Sequence, residues 1–282
     1  MIIDTHHHVW DPQARRHAWL EGLPALRRRF GLDDFERAAA GQGVTASVLV
    51  QVLADSSETG EFLALASDSL LVAAVVGWTD LTSPDVADQI ARLRGLPGGE
   101  RLAGIRHLVQ DEPDPHWLDR PDVRRGLRAV GAAGLVYDLL VRPGQLPAAL
   151  RVTGDLGDVT FVLNHGAKPD IASGQLQPWA ALVAELARRP NVSCKLSGLV
   201  TEAGPGWQSN QIAPYVAHLI ACFGPGRLMF GSDWPVCTLA ASYGEVVALA
   251  SDLLSRHLGP RERDAVLAGN AAATYGVRPP AD

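Results

Sequence analysis

The chain has 282 residues, of which 47% are hydrophobic and 20% charged, and its formal net charge at pH 7 is −6. These values are typical of a globular domain; they exclude a disordered chain and argue against nucleic acid or an anionic membrane as a partner. The 3 cysteines are too scattered for a disulfide framework, and no apolar stretch reaches membrane-spanning length, so we expect a cytoplasmic protein.

Eight short hydrophobic runs recur along the chain, and each predicts a buried strand. They cover residues 1–4, 46–52, 71–78, 102–109, 134–141, 159–166, 191–198 and 227–234. The runs are near-continuous rather than alternating, which is typical of parallel strands covered on both faces. Segments with helical periodicity separate them, among them 57–68, 84–95, 122–133, 177–189 and 211–224. This alternation predicts an α/β fold, a (β/α)8 TIM barrel, as one domain over residues 1–282.

An open, doubly wound sheet is the alternative architecture. It is disfavoured because no Gly-x-Gly-x-x-Gly loop follows the first strand. Residues 11–45 are longer than a barrel helix needs, and they predict a loop across the mouth followed by a helix. Residues 261–277 predict a last helix that packs on the barrel.

Polar side chains cluster where the predicted strands end, which is where barrel enzymes carry their active sites. The first strand leads into His6, His7 and His8. Because side chains alternate along a strand, His6 and His8 share one face, and we expect His7 to pack outward. Other polar residues at strand ends are interpreted as groups that only satisfy buried hydrogen bonds: Asp4, Gln51, Tyr137 and Ser197.

Four residues from strands one, six and eight form a candidate metal site: His6, His8, His165 and Asp233. Neutral imidazoles and a carboxylate are ligands that Zn²⁺ or Mn²⁺ accepts, with a position left for water. An uncompensated charge is rarely buried, so a functional interpretation of this group is favoured over a structural one.

Several motifs in order resemble those of the amidohydrolase superfamily. They read "DTHHHVWD", "GIRHLVQ", "LNHGAKP", "CKLSGL", "FGSDWPV" and "GNAAATYG". More narrowly, they are similar to the amidohydrolase-related branch of sugar-lactone and dicarboxylate-lactone hydrolases. The resemblance implies a (β/α)8 barrel that opens a cyclic ester by attack of water. It also implies catalytic roles for His6, His8 and His165, with Asp233 as the general base.

The sequence departs from the superfamily pattern at strands four and five. Many members place a carboxylated lysine or a histidine there, bridging two metals, whereas this chain has Arg106, His107 and Asp138. A two-metal centre is therefore not expected. The resemblance leaves open whether the protein uses one divalent metal or none.

The remaining polar and aromatic residues near strand ends predict a pocket for a polar lactone, and they form the candidate substrate-binding set: Arg106, His107, Asp138, Lys195, Trp10 and Trp78. The guanidinium of Arg106 suits a carboxylate or ring hydroxyls. Two alternatives stay open, a metal-dependent decarboxylase on the same scaffold and a non-catalytic sugar-acid-binding protein. Assembly into a homo-oligomer is also left open.

Overall fold

The computed structural model describes residues 1–277, and the domain boundary predicted at 282 lies outside them. Within that range, eight parallel strands pair in sequence order, each with the next. They are β1 (Ile2–His7), β2 (Val44–Val50), β3 (Val72–Gly77), β4 (Leu102–His107), β5 (Val136–Leu139), β6 (Phe161–Leu163), β7 (Val192–Leu196) and β8 (Leu228–Phe230). A parallel bridge between His7 and Trp234 brings the last strand back to the first. The predicted TIM barrel is confirmed.

Helices alternate with the strands on the outside of the barrel. They are α1 (Leu32–Ala39), α2 (Ser56–Asp68), α3 (Val86–Arg94), α4 (Pro121–Ala132), α5 (Leu146–Asp155), α6 (Trp179–Leu186), α7 (Leu199–Ala203), α8 (Ser209–Phe223), α9 (Tyr243–Ser255), α10 (Pro260–Asp264) and α11 (Asn270–Tyr275). Side-chain caps begin two of them: Asp55 accepts from the Ser57 amide at α2, and Ser242 accepts from the Glu245 amide at α9.

Strands β3 to β8 are shorter than the hydrophobic runs that predict them. The run at 159–166 contains only the three residues of β6, and the run at 227–234 contains only the three of β8. The remaining residues of both runs leave the sheet at its carboxyl edge. Those departures place polar side chains over the end of the barrel.

The two segments predicted to flank the barrel are present. An antiparallel bridge between Trp10 and Phe30 closes the loop that precedes α1. At the other end, α10 and α11 are joined by a π-helical turn, Ala265–Gly269, which contacts β1 and β8. Among the described residues, no helix combines the length and apolarity needed to cross a membrane.

Candidate active site

The first strand delivers two histidines to the barrel interior. His6 and His8 face inward, and both are buried. His7 faces outward, where its ring stacks on Phe35 of α1 at a centroid separation of 3.8 Å. Its Nε2 lies 3.0 Å from Ser47 Oγ. The outward packing predicted for His7 is therefore confirmed.

A single carboxylate oxygen is approached by three imidazoles. Asp233 Oδ1 lies 3.5 Å from Nε2 of His8 and 3.8 Å from Nε2 of both His6 and His165. Ligand atoms of His6, His165 and Asp233 lie within 4.8 Å of one another, and all three residues are buried. His8 joins this group through its contact with Asp233. The structure thus brings together the four residues predicted as metal ligands.

Hydrogen bonds on the far side of two rings set which nitrogen faces the site. His8 Nδ1 lies 2.7 Å from the Val50 carbonyl oxygen. A carbonyl only accepts, so in the neutral ring Nδ1 carries the proton and Nε2 presents a lone pair. His165 Nδ1 lies 2.8 Å from Ser197 Oγ. Ser197 satisfies a buried hydrogen bond, as predicted, and its partner is a residue of the site.

Left-handed backbone carries two of the four residues over the barrel. After β6, φ is +53° at His165, +55° at Gly166, +63° at Ala167 and +51° at Lys168. After β8, φ is +58° at Asp233. This conformation costs a non-glycine residue about 1–2 kcal/mol, and such strain clusters at functional sites.

Two glycines leave room for the imidazoles. A Cβ at Gly198 would lie 2.7 Å from His165 Nδ1, and φ there is +67°. A Cβ at Gly231 would lie 2.8 Å from the Cβ of His6. Real Cβ atoms do not approach other heavy atoms so closely, so any larger residue would displace the ring.

A buried ion pair lies next to His6. Lys195 Nζ is 2.6 Å from Asp138 Oδ2, and both side chains are fully buried. The carboxylate of Asp138 also accepts from Asn164 Nδ2 at 3.0 Å and from the Tyr275 hydroxyl at 2.7 Å. Both residues were predicted to contact the substrate; in this structure neither side chain is exposed, and a substrate contact there stays a prediction. The pair also supports the site, since Lys195 Nζ lies 3.4 Å from His6 Nδ1.

Arg106 contacts His6 of the site and is held by Gln51. Its Nη1 lies 3.1 Å from His6 Nε2, and its Nη2 donates to the backbone and side-chain oxygens of Gln51, the latter at 3.0 Å. Gln51 therefore satisfies buried hydrogen bonds, as predicted, and it orients Arg106. Burial lowers the pKa of the guanidinium to about 10, so it stays charged at pH 7.

Two further residues of the predicted substrate set contact neighbouring loops. His107 stacks on Trp117 at 4.3 Å, accepts from Trp78 Nε1 at 3.1 Å and lies 2.6 Å from Glu112 Oε1. Both its ring nitrogens are therefore used, and strand alternation turns the ring away from the interior that Arg106 faces.

Trp10 is buried as well. Its Nε1 donates to the Leu26 carbonyl at 3.1 Å, and its ring packs edge-on against Trp19 and Phe30. The contacts described for His107 and Trp10 are with the protein itself, and the substrate contacts predicted for them stay predictions. Trp78 is half-buried, and a substrate contact there stays a prediction.

Burial sets the charge state of the site. It lowers the pKa of His6, His8 and His165, in the last case to about 3, so these rings are neutral at pH 7. Burial alone would raise the pKa of Asp233, but the neighbouring His165 and His8 outweigh it and hold the pKa below its ordinary value. The site therefore combines neutral imidazoles with an ionised carboxylate.

This donor set fits a divalent metal ion. Zinc binds unprotonated imidazole nitrogen and carboxylate oxygen, which are the groups that His6, His165 and Asp233 present. The lone pair of His6 Nε2 also faces Arg106 Nη1 at 3.1 Å. A metal ion and the guanidinium would therefore compete for the same nitrogen.

Comparison with known proteins identifies the family. The family model described as Amidohydrolase matches residues 3–277. The chain belongs to the amidohydrolase family. An L-fucono-1,5-lactonase of Burkholderia ambifaria is 41% identical to this amidohydrolase over 285 residues, which are 99% of this chain and 97% of that one.

Solved structures support the assignment. An amidohydrolase from Burkholderia multivorans with bound zinc has a TM-score of 0.92 and 39% identity, covering 99% of this chain and 100% of that one. A 5-carboxyvanillate decarboxylase from Sphingomonas paucimobilis has a TM-score of 0.67 at 16% identity, covering 98% of this chain and 99% of that one. The latter shows a shared fold alone. The family resemblance inferred from the motifs is confirmed.

Sequence reasoning gave no role to several residues that complete this amidohydrolase site. Asn164 and Tyr275 hold Asp138, and Tyr275 comes from the last helix, far from any strand end. Lys168 and Glu202 form an ion pair next to the site, with Nζ and Oε1 3.6 Å apart. One signal for Lys168 was available in the sequence: only two of the 25 basic residues are lysines, Lys168 and Lys195.

Proposed function

We propose that this protein hydrolyses a sugar lactone and that Asp233 is the general base for the attacking water. The observation that carries the proposal is the position of Asp233, whose Oδ1 lies within 3.8 Å of three neutral imidazoles. The 41% identity to an L-fucono-1,5-lactonase supports a neutral sugar lactone as the substrate class.

Asp233 suits the role of base because its carboxylate is ionised at neutral pH. It accepts a proton from water as the water oxygen bonds to the lactone carbonyl carbon. When the ring C–O bond breaks, the protonated carboxyl returns that proton to the leaving alkoxide. The products are a hydroxy acid and the regenerated carboxylate, so the proton is conserved through the cycle.

Arg106 supplies the positive charge of the site. Its guanidinium is buried, charged and fixed by Gln51, so it needs no reorganisation as negative charge develops on the carbonyl oxygen. A donor placed in this way contributes about 3 kcal/mol to the barrier reduction. We assign Arg106 to the carbonyl oxygen and retain Trp78 as a wall of the substrate pocket.

His6, His165 and Asp233 would hold one divalent metal ion, with His8 beside them. When bound, such an ion lowers the pKa of water and polarises a carbonyl. The chain's own contribution is the orientation of the ligands: Ser197 turns His165, and the Val50 carbonyl turns His8.

The test is a pH-indicator assay of hydrolysis on a panel of aldonolactones and dicarboxylate lactones. The protein is assayed as purified, after chelation, and after addition of Zn²⁺ or Mn²⁺. Asp233→Asn is the test variant, and Asp252→Asn, on an exposed helical position, is its matched control. We expect Asp233→Asn to lower kcat at least about 100-fold and Asp252→Asn to have no effect.

Each contrary result has a definite meaning. Full activity of folded Asp233→Asn would remove the general base from the proposal. If no lactone on the panel is hydrolysed when metal is supplied, the proposed lactonase function is refuted. Release of CO2 from an unsaturated acid would then favour the decarboxylase, and sugar-acid binding without turnover would favour a binding protein.

A further inference from the structure

The two lysines of the chain both lie near the site, although 23 of its 25 basic residues are arginines. Lys195 is accounted for by its buried pair with Asp138. Lys168 follows His165 by three residues and ends the left-handed turn after β6. A turn that is strained at three non-glycine positions thus fixes a catalytic histidine and a lysine together.

Lys168 is held by Glu202 of α7, which follows β7. Its Nζ lies 3.6 Å from Glu202 Oε1, with 20% of the lysine side chain and 23% of the glutamate side chain exposed. The backbone adds a second link, because the Ala172 amide donates to the Glu202 carbonyl at 3.1 Å. The pair is thus partly buried and anchored on both sides, while each member keeps an accessible face.

The pair lies close enough to the base for their charges to interact. The ammonium of Lys168 contributes to the lowered pKa values of Asp233 and His165, although burial is the largest influence on each group. Burial raises the pKa of Glu202, while Lys168 and then Arg142 act to lower it. Arg142 is exposed on the loop after β5, so solvent screens its charge more strongly than that of Lys168.

We propose that Lys168 and Glu202 bind hydroxyl groups of the lactone and select against lactones that carry a carboxylate. This inference rests on the proposed lactonase function. A hydroxyl both donates and accepts, so it matches an ammonium and a carboxylate held side by side. A substrate carboxylate would instead face Glu202 and Asp233, while Lys168 is already paired.

The experiment compares two lactones with the same ring: galactono-1,4-lactone, which ends in a hydroxymethyl group, and galactaro-1,4-lactone, which ends in a carboxylate. We expect the native protein to favour the neutral lactone at least tenfold in kcat/KM. Glu202→Gln should raise kcat/KM for the carboxylated lactone about tenfold, because it removes the repulsion. Lys168→Met should raise KM for the neutral lactone about tenfold and change kcat less than threefold, whereas Lys168→Arg should be milder.

Matched controls come from an ion pair between two outer helices. Arg124 Nη2 lies 2.6 Å from Asp155 Oδ2, and 22% of the Arg124 side chain is exposed, close to the value for Lys168. Arg124→Met and Asp155→Asn should leave both lactones' kinetics unchanged. Thermal unfolding of every variant confirms that it is folded, and the double variant Lys168→Gln/Glu202→Gln tests the pair without leaving either charge unpaired.

A second readout separates this inference from the proposed function. Galactonolactam, a neutral analogue with a ring N–H, is titrated into the native protein and Lys168→Met by calorimetry, and we expect about tenfold weaker binding by the variant. Hydrolysis with an unchanged preference between the two lactones in Glu202→Gln and Lys168→Met overturns the inference alone. If no lactone is hydrolysed but lactam binding still depends on Lys168, the proposed lactonase function is overturned. The proposal that Lys168 and Glu202 bind hydroxyl groups is then retained.

Discussion

Glu58 gives the protein a predictable dependence of stability on pH. Its carboxylate is 2% exposed, and Oε2 accepts from the amides of Val52 and Leu53 at 2.8 and 3.0 Å. These amides follow β2 and lie next to Gln51, which orients Arg106. Burial raises the pKa of Glu58 from 4.5 to about 7, because it disfavours the charged form more than the two amides favour it.

The sign follows from proton linkage. A raised pKa means that the folded state binds the proton more tightly, so the contribution of Glu58 to stability is fully present below pH 4.5. It is lost as pH rises through about 7. At about 1.4 kcal/mol per pKa unit, the full loss is about 3 kcal/mol, of which about 2 kcal/mol lies between pH ~5 and ~8.

Urea unfolding of the native protein and of Glu58→Gln at pH ~5 and pH ~8 measures the pH-dependent contribution of Glu58 to stability. The buried histidines also make stability depend on pH in this range, because they become protonated on unfolding; they are present in both proteins, so their effect cancels in the difference between the two free energies of unfolding. When pH rises from ~5 to ~8, we expect the free energy of unfolding of Glu58→Gln to increase by about 2 kcal/mol relative to that of the native protein. Glu61→Gln, which removes a carboxyl from the exposed side of the same helix, is the control.

Two results would refute this reasoning. One is a difference between native protein and Glu58→Gln that is the same at both pH values within about 0.5 kcal/mol. The other is an equal pH dependence in Glu61→Gln, which would show that removing any carboxyl from α2 has the effect.

Three other perturbations have definite expected outcomes. Gly198→Ala places a Cβ 2.7 Å from His165 Nδ1, so we expect a folded protein whose kcat for lactone hydrolysis falls at least about tenfold. Lys195→Met leaves Asp138 buried without its cation and should cost about 3–5 kcal/mol in urea unfolding; a cost below about 1 kcal/mol would contradict the assigned pair. His7→Phe keeps the ring outside the barrel, so kcat/KM should stay within threefold of the native value, as measured in the same hydrolysis assay.

The sequence predicted the barrel because parallel strands covered on both faces leave a distinct pattern. A run such as residues 71–78 is apolar throughout, and β3 lies inside it. The same logic located His6, His8, His165 and Asp233, since each follows or ends such a run. Barrel geometry then places these side chains over the carboxyl ends of the strands.

Depth along the barrel was not predictable from the sequence, and Asp138 shows why. Strand alternation shows which residues face inward but not at what height. In the structure Asp138 pairs in register with Val162 of β6, which lies three residues before His165. There its carboxylate contacts Lys195 Nζ at 2.6 Å and Asn164 Nδ2 at 3.0 Å. Register depends on how neighbouring strands slide past one another, which a single strand's sequence does not encode.

The residues that define the site also explain why the fold accepts strain at its mouth. His165 and Asp233 both adopt positive φ, two and three residues after the short strands β6 and β8 end. Neither position is glycine, so local propensity opposes this backbone, and the surrounding contacts must maintain it. The contacts are visible: Gly198 leaves space for His165, Ser197 bonds its ring, and the Asp233 amide donates to the His6 carbonyl at 2.7 Å. Strain and its support thus coincide at the residues to which we assign the chemistry, as expected if the fold holds them for function rather than for stability.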